Sequence, residues 1–300
     1  MVTRSYKSTV DEVLLNQYIS YCEENGNRDT TLKRKKSSIE RFLVIYSVKD
    51  SHTEDIMNFV QNYRGKSYYA LKRELDEIKK FFDFCMSEGY IENNSTPVFP
   101  DIKATKTNKL PSIYSNDEIN IMLNYIKRSS SIHQKRDYAI AFLIATLGFR
   151  SIDIANLSVT SLNFEDKMIS FVQSKTRTTI KHHLSTPTIN ALVDYLLNER
   201  VESQSNFFFL KSTAERLSSK TVSGIIRKAF ENCGIELGDR RRGSHCLRHS
   251  LASNLLNEGE SMVAIANILG QTSAETTRLY TKIDIKHLVA CALEVPDYEY

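Results

Sequence analysis

The sequence predicts a mainly α-helical protein of two domains, the second of which holds one small β-sheet. Three observations lead there. Segments of helical length, with cap residues at their ends, fill most of the chain. Residues 93–111 break that pattern with Pro97, Pro100 and Pro111, several Thr and Asn, and three lysines, which is the character of a linker. One stretch reads as extended chain: Met168 to Val172 and Thr179 to Leu184 flank Ser174-Lys175-Thr176-Arg177, the pattern of a short hairpin. The expected division is residues 1–95, a linker at 96–111, and residues 112–300. With 300 residues in all, each domain can bury a sizeable core.

The first domain reads as four helices. One spans about Val10 to Asn25, with Thr9 and Glu12 as a capping box and Gly26 as its stop. A second runs from Thr30 to about Tyr46. A third starts at a Thr53 cap and ends before Gly65. A fourth runs from Ser67 to Glu88, where Leu71, Leu75, Ile78, Phe82 and Cys85 keep a helical period and mark a buried face. In the second domain Ser115 and Glu118 form a capping box, and Asp137 to Leu147 is a mostly apolar, central helix. After the hairpin come helices at about Pro187 to Glu199, Ser219 to Cys233, Ser244 to Asn257 and Ser261 to Leu269.

Apolar residues make up 41% and charged residues 25%, which places the chain among soluble globular proteins. A net charge of +4 does not announce a nucleic-acid binder, so any such signal has to be local. It is: nine Lys/Arg face four acids between Lys211 and His249, and Lys33-Arg34-Lys35-Lys36 is one dense basic run. The five cysteines are scattered without metal-ligand spacing and read as reduced thiols. Met1-Val2-Thr3-Arg4 leads straight into polar residues, and the longest apolar run, Ala139 to Phe149, is too short for a bilayer. A cytoplasmic protein with no membrane partner is expected.

The residues that can carry chemistry cluster late in the chain. His245 and Arg248 stand three apart on a predicted helix and share a face, while Leu247, Leu251 and Leu255 lie on another and anchor the helix. A guanidinium grips two phosphate oxygens, and an imidazole donates or shuttles a proton. The plainer reading is a helix start with incidental polar residues, and for His249 the structural reading is preferred. Arg150 closes the run Leu147-Gly148-Phe149-Arg150; such an arginine often merely caps a helix C-terminus. Asp153 either orients Arg150 or a nearby His, or makes a surface ion pair. Lys175 is at the hairpin tip, where a lysine is usually just solvated, though against DNA an ammonium can protonate a leaving alkoxide. Tyr280 is one of fifteen tyrosines. With a reference pKa of about 10, its phenol needs nearby cations or a base to become a nucleophile.

Taken together, these residues resemble the tyrosine recombinase, or phage integrase, family over nearly the whole chain, and the Xer-type recombinases and mobile-element integrases in particular. The strongest match runs from Ser244 to Thr281: His245-x-x-Arg248-His249, Leu269-Gly270, then Thr276-Thr277 and Tyr280 in order. Arg150 in TLGFRSIDIANL is similar to the family's first arginine box, and Lys175 to its hairpin lysine. The N-terminal helices resemble its core-binding, SAM-like domain, with the second domain as the catalytic one.

The resemblance implies a mechanism. Tyr280 attacks the scissile phosphate, forms a 3'-phosphotyrosyl bond and frees a 5'-hydroxyl. Arg150 and Arg248 stabilise the five-coordinate transition state, His245 assists, and Lys175 is the acid for the 5'-oxygen. The covalent bond conserves the phosphodiester energy, so neither metal nor cofactor is expected. Partners would be double-stranded DNA and a homotetramer on it, with or without a related recombinase or accessory factor. Gln271 departs from the family's usual His or Trp; its amide can still donate to a phosphate oxygen but cannot titrate. Asp284 to Tyr300 carries a short apolar face of Ile285, Leu288, Val289 and Ala292, expected to dock on a neighbouring protomer. Lys33, Arg34, Lys35 and Lys36 on one domain, and Lys220, Arg240, Arg241 and Arg242 on the other, are expected to bind DNA phosphates.

Two other readings are a type IB topoisomerase-like enzyme, which would relax DNA without recombining it, and a non-catalytic DNA-binding accessory protein. A metal-dependent nuclease is disfavoured, since no carboxylate cluster is apparent. The expected task is integration or excision of a mobile element, with Xer-type resolution of chromosome dimers as the alternative.

Overall fold

The computed structural model describes residues 8–64, 67–92, 97–103 and 111–271. The chain divides into two compact units at Asn108/Lys109.

In the first unit, α1 (Thr9–Glu24), α2 (Asp29–Leu43), α3 (Thr53–Gln61) and α4 (Tyr68–Ser87) supply the four expected helices. The α1 cap is one residue earlier than expected. Ser8 is extended and its side chain accepts from the Val10 amide, so Thr9 is already helical and no Thr9–Glu12 box forms. Ser67 caps α4 in the same way through the Ala70 amide. Helix α2 stops at Leu43 rather than Tyr46, because the Ile45 and Tyr46 amides both turn back onto the Phe42 carbonyl. The face read from the α4 periodicity is inside: Leu71, Leu75, Ile78, Phe82 and Cys85 are all buried, against Leu15, Ile39, Phe42 and Ile56.

The second unit is a helical body with one antiparallel sheet. Its order is α5 (Asn116–Lys127), α6 (Gln134–Leu147), α7 (Ser151–Ala155), a 3₁₀ turn (Val159–Ser161), β1 (Leu162–Asn163), β2 (Met168–Val172), β3 (Thr179–His183), α8 (Thr186–Asn198), α9 (Ser219–Asn232), α10 (Ser244–Asn257) and α11 (Met262–Leu269). The Ser115–Glu118 capping box is present, with reciprocal bonds of 3.2 and 2.9 Å. Helix α6 is the centre: Ala139, Ile140, Ala141, Leu143 and Ile144 have no exposed surface, and α5, α8, α9 and α10 pack around it.

The expected hairpin pairs Phe171 with Ile180 and Met168 with His183. The sheet nevertheless has three strands, since β1 adds to β2 through Leu162–Ile169. Strand β1 and helix α7 are two and five residues long, too short to give a hydrophobic period. Among the described residues no helix is long and apolar enough to cross a membrane.

Candidate active site

The site is assembled where α6, the β2–β3 hairpin, α10 and α11 end or begin. Helix α6 terminates at Gly148, whose φ of +64° reverses the chain. Phe149 then buries its ring edge-on against Phe171 of β2, 4.9 Å between centroids. That anchor leaves Arg150 at the N-cap of α7, where its Nη1 donates to Gln173 Oε1 at 2.7 Å. The expected helix-end cap is therefore replaced by a side-chain contact across the site.

Helix α10 brings the second arginine. Its first residue, Ser244, shares a buried hydroxyl–hydroxyl hydrogen bond with Ser151 of α7. Arg248 is 4% exposed, donating from Nη1 to the Gly148 carbonyl at 2.6 Å and from Nη2 to the Leu269 carbonyl at 2.8 Å. Leu247 beside it is wholly buried. His245 lies one turn before Arg248 and keeps an exposed surface. Its imidazole is held below its ordinary pKa, first by the surrounding protein mass and then by the charges of Arg248, Arg150 and Lys175. Four expected site residues thus share one electrostatic neighbourhood, and the imidazole is neutral at neutral pH. His249 is pushed down to about 4, by burial first and then by His245, Arg248 and Arg241; it too is neutral.

Lys175 is exposed at the hairpin turn, and the turn is pinned from α7. Asp153 Oδ1 accepts from the Ser174 amide at 2.7 Å, and Asn156 Nδ2 donates to Ser174 Oγ at 3.0 Å. Asp153, expected to orient Arg150 or a histidine or else to form a surface pair, instead is 2% exposed and holds backbone. Gln173 was not singled out in the sequence. It is 1% exposed, and it links Arg150 to the Leu269 carbonyl, to which its Nε2 donates at 3.2 Å. A glutamine two residues before the hairpin lysine was the available signal. Gln271 follows the left-handed Gly270; its amide closes α11 on the Ala266 carbonyl at 2.9 Å and its side chain is half-buried. Tyr280 and the tail from Asp284 to Tyr300 lie outside the described residues.

A family model for the phage integrase family matches residues 113–287. The chain belongs to that family. This phage-integrase-family chain is a tyrosine-type site-specific recombinase. It is 27% identical to a protein named tyrosine recombinase XerC of Thermodesulfovibrio yellowstonii, covering 89% of this chain and 90% of that one. It is 26% identical to tyrosine recombinase XerA of Pyrococcus furiosus, over 94% and 93% of the two chains. Its fold is similar to that of a lambda integrase dimer bound to a COC' core site, with a TM-score of 0.68 at 21% identity, covering 90% of this chain and 94% of that one. A lambda integrase tetramer bound to a Holliday junction gives a TM-score of 0.67, also at 21% identity, over 90% and 76%.

The basic residues expected to meet DNA divide into two groups in this integrase-family chain. Lys35 is a correction. It is 7% exposed, and its Nζ is 2.8 Å from Glu77 Oε2 and 3.3 Å from the Tyr18 hydroxyl. A buried charge has to be paired, and Glu77 is held below the usual carboxylate range although burial alone would raise it, the Lys35 hydrogen bond and charge leading the opposing effects. Arg240 is the second correction. Its Nη1 and Nη2 grip Glu118 at 3.0 and 2.7 Å, and its guanidinium stacks 4.3 Å over Tyr114. That arrangement fixes the approach to α5. Lys33, Lys220, Arg241 and Arg242 are exposed, Arg242 with a 3.5 Å contact to Glu231. Arg34 and Lys36 are half-buried, at 3.4 Å from Glu77 and 3.2 Å from Asn16. Among the described residues no group of three or more His, Cys, Asp or Glu could hold a metal ion.

Proposed function

We propose that this recombinase cuts and rejoins duplex DNA at a specific site through Tyr280. The phenol oxygen attacks the scissile phosphorus as its proton passes to His245, the bond to the 5'-oxygen breaks, and that oxygen takes a proton from Lys175. The product is a 3'-phosphotyrosyl bond and a 5'-hydroxyl. Attack by the 5'-hydroxyl of a partner strand reverses the step and rejoins the backbone. Arg150 and Arg248 bind the phosphate oxygens that do not break, and stabilise the charge that grows on them. A neutral His245 accepts that proton at the attacking oxygen. Gln271 donates a hydrogen bond only; wild-type cleavage by both Gln271→Ala and Gln271→His would remove that role.

The observation that carries the proposal is that Arg150 of α7 and Arg248 of α10, one turn after His245, are tied to one another through Gln173 and the Leu269 carbonyl. The first unit acts as the core-binding domain. Lys33, Arg34, Lys36, Lys220, Arg241 and Arg242 contact phosphates, so that affinity falls steeply with salt. The working form is a tetramer on DNA, and the task is integration or excision of a mobile element. The names of the relatives support recombination; Xer-type resolution of chromosome dimers is the alternative task.

Incubation of wild type and Tyr280→Phe with nicked suicide duplexes from DNA flanking the gene, without metal, tests the reading. A protein–DNA adduct on a denaturing gel, absent in the phenylalanine variant, is expected. DNA binding without any adduct would move the chain to an accessory role.

A further inference from the structure

We infer that Gln173 is a positioning residue for Arg150, holding the guanidinium where it meets the scissile phosphate; this rests on the role proposed above for Arg150. Three hydrogen bonds fix the amide. Arg150 Nη1 and Thr176 Oγ1 both donate to Oε1, each at 2.7 Å, and Nε2 donates to the Leu269 carbonyl at 3.2 Å. Arginine offers only donors and a carbonyl only accepts, so the flipped amide would set like against like.

The Leu269 carbonyl also accepts from Arg248, whose other nitrogen reaches the Gly148 carbonyl, two residues before Arg150. Arg150, Gln173, Leu269, Arg248 and Gly148 therefore close a ring. Within it the two arginines are held at a set spacing by neutral groups. Such prealignment matters because a displacement of about 1 Å at a reacting centre can cost on the order of 100-fold in rate.

The neutrality of Gln173 is the second argument. A glutamate of the same length would accept from Arg150 more strongly, but would take up the positive charge needed by the phosphate. Its other oxygen would face the Leu269 carbonyl. Gly270 gives the third argument. A Cβ there would lie 2.7 Å from Gln173 Nε2 and 2.9 Å from its Cδ, so the backbone comes this close only as glycine.

The test uses the full chain on the nicked suicide duplex. Single-turnover adduct formation, DNA affinity and melting are measured for wild type, Gln173→Glu, Gln173→Met, Arg150→Lys and Arg150→Lys/Gln173→Met. The expected result is a cleavage rate lowered on the order of 10- to 100-fold in both Gln173 variants, with DNA affinity kept. In the Arg150→Lys background the Gln173→Met change should cost far less than in wild type, since coupled residues are not additive. Full additivity, or wild-type rates in the Gln173 variants, overturns the inference. So does a rate loss that merely follows early melting in both variants, which would make Gln173 a core residue only. A wild type that forms no adduct removes the proposed function itself, and the inference with it; an active wild type with unaffected Gln173 variants removes the inference alone.

Discussion

The Gly148 carbonyl accepts a 2.6 Å hydrogen bond from Arg248 across 100 residues of sequence. The bond makes the end of α6 and the start of α10 a single support. Gly148 is the residue at which α6 reverses, and the chain reaches Arg150 two residues later. A shift of Arg248 is therefore felt at the position of the other arginine.

Lysine cannot replace Arg248. Its ammonium is one point, whereas the guanidinium reaches both the Gly148 and Leu269 carbonyls. Arg248→Lys should lower unfolding free energy by about 1–3 kcal/mol, as a buried acceptor loses its partner. Cleavage should fall on the order of 100- to 1,000-fold, as when one transition-state donor is lost. Denaturant titration and the suicide-duplex assay read the two effects. A variant as stable as wild type would mean that the carbonyls do not depend on the fork.

Gly148→Ala and Gly270→Ala should both fail, for different reasons. Both residues have positive φ, +64° and +60°, where a Cβ costs about 1–2 kcal/mol. At Gly148 the new methyl would collide with Leu269 Cδ2 and press on Leu251, both on the α10–α11 side. At Gly270 it would strike Ile180 and the Gln173 amide. Gly148→Ala should thus lose mainly stability, while Gly270→Ala should lose cleavage beyond what its melting temperature explains. Equal behaviour of the two in both assays would refute the distinction.

How much of this was legible in the sequence follows from length and chemistry. Helix α10 was readable from Ser244 to Asn257 because fourteen residues run without Gly or Pro between Gly243 and Gly259, and Leu247, Leu251 and Leu255 recur every four. Helix α7 and strand β1 were not, because they are set by tertiary contacts such as Ser151 with Ser244 rather than by a local pattern. The arginines, the hairpin lysine and His245 stood out by residue type and order. Gln173 did not, since a glutamine gains meaning only from two donors on one side and a carbonyl on the other. Lys35 and Arg240 misled for the opposite reason. A run of basic residues shows charge, but not that Glu77 and Glu118, 42 and 122 residues away, receive it.

Stability should decline as pH falls from about 6.5 to about 4. His249 is lowered to about 4, and His182 and His245 are also lowered, each by desolvation first. The folded protein then binds fewer protons than the unfolded chain, whose histidines titrate near 6.5. The histidine contribution is complete above that value and is lost towards the folded pKa. Asp137 and Glu199 are raised by burial and act in the opposite sense, so the slope is shallower than the histidines alone would give. Denaturation midpoints at several pH values should show the slope, and His249→Gln should flatten it. An unchanged slope in that variant would remove His249 from the account.

Arg240 and Lys220 should separate stability from DNA affinity. Arg240→Ala loses the Glu118 fork and the Tyr114 stack. Partly exposed as it is, the pair should be worth about 1 kcal/mol, with little change in how DNA affinity depends on salt. Lys220 is exposed; Lys220→Ala should leave melting unchanged and reduce the salt slope by about one. Binding isotherms at several salt concentrations decide it. A shallower slope in Arg240→Ala would return that arginine to the DNA interface.

Lys175 offers the sharpest chemical test. It is exposed at a turn held by Asp153 and Asn156 through Ser174. Its substitution should therefore leave the fold alone. If its ammonium protonates the leaving 5'-oxygen, Lys175→Ala should slow cleavage on the order of 100-fold or more, within the range for general acid catalysis. Replacing that bridging oxygen with sulfur in the substrate makes the leaving group a thiolate, which needs no proton to depart. The variant should then cleave the sulfur-bridged duplex nearly as fast as wild type does. An equal defect on both substrates would show that Lys175 binds the phosphate rather than serving as the acid, and the search for the proton donor would turn to His245.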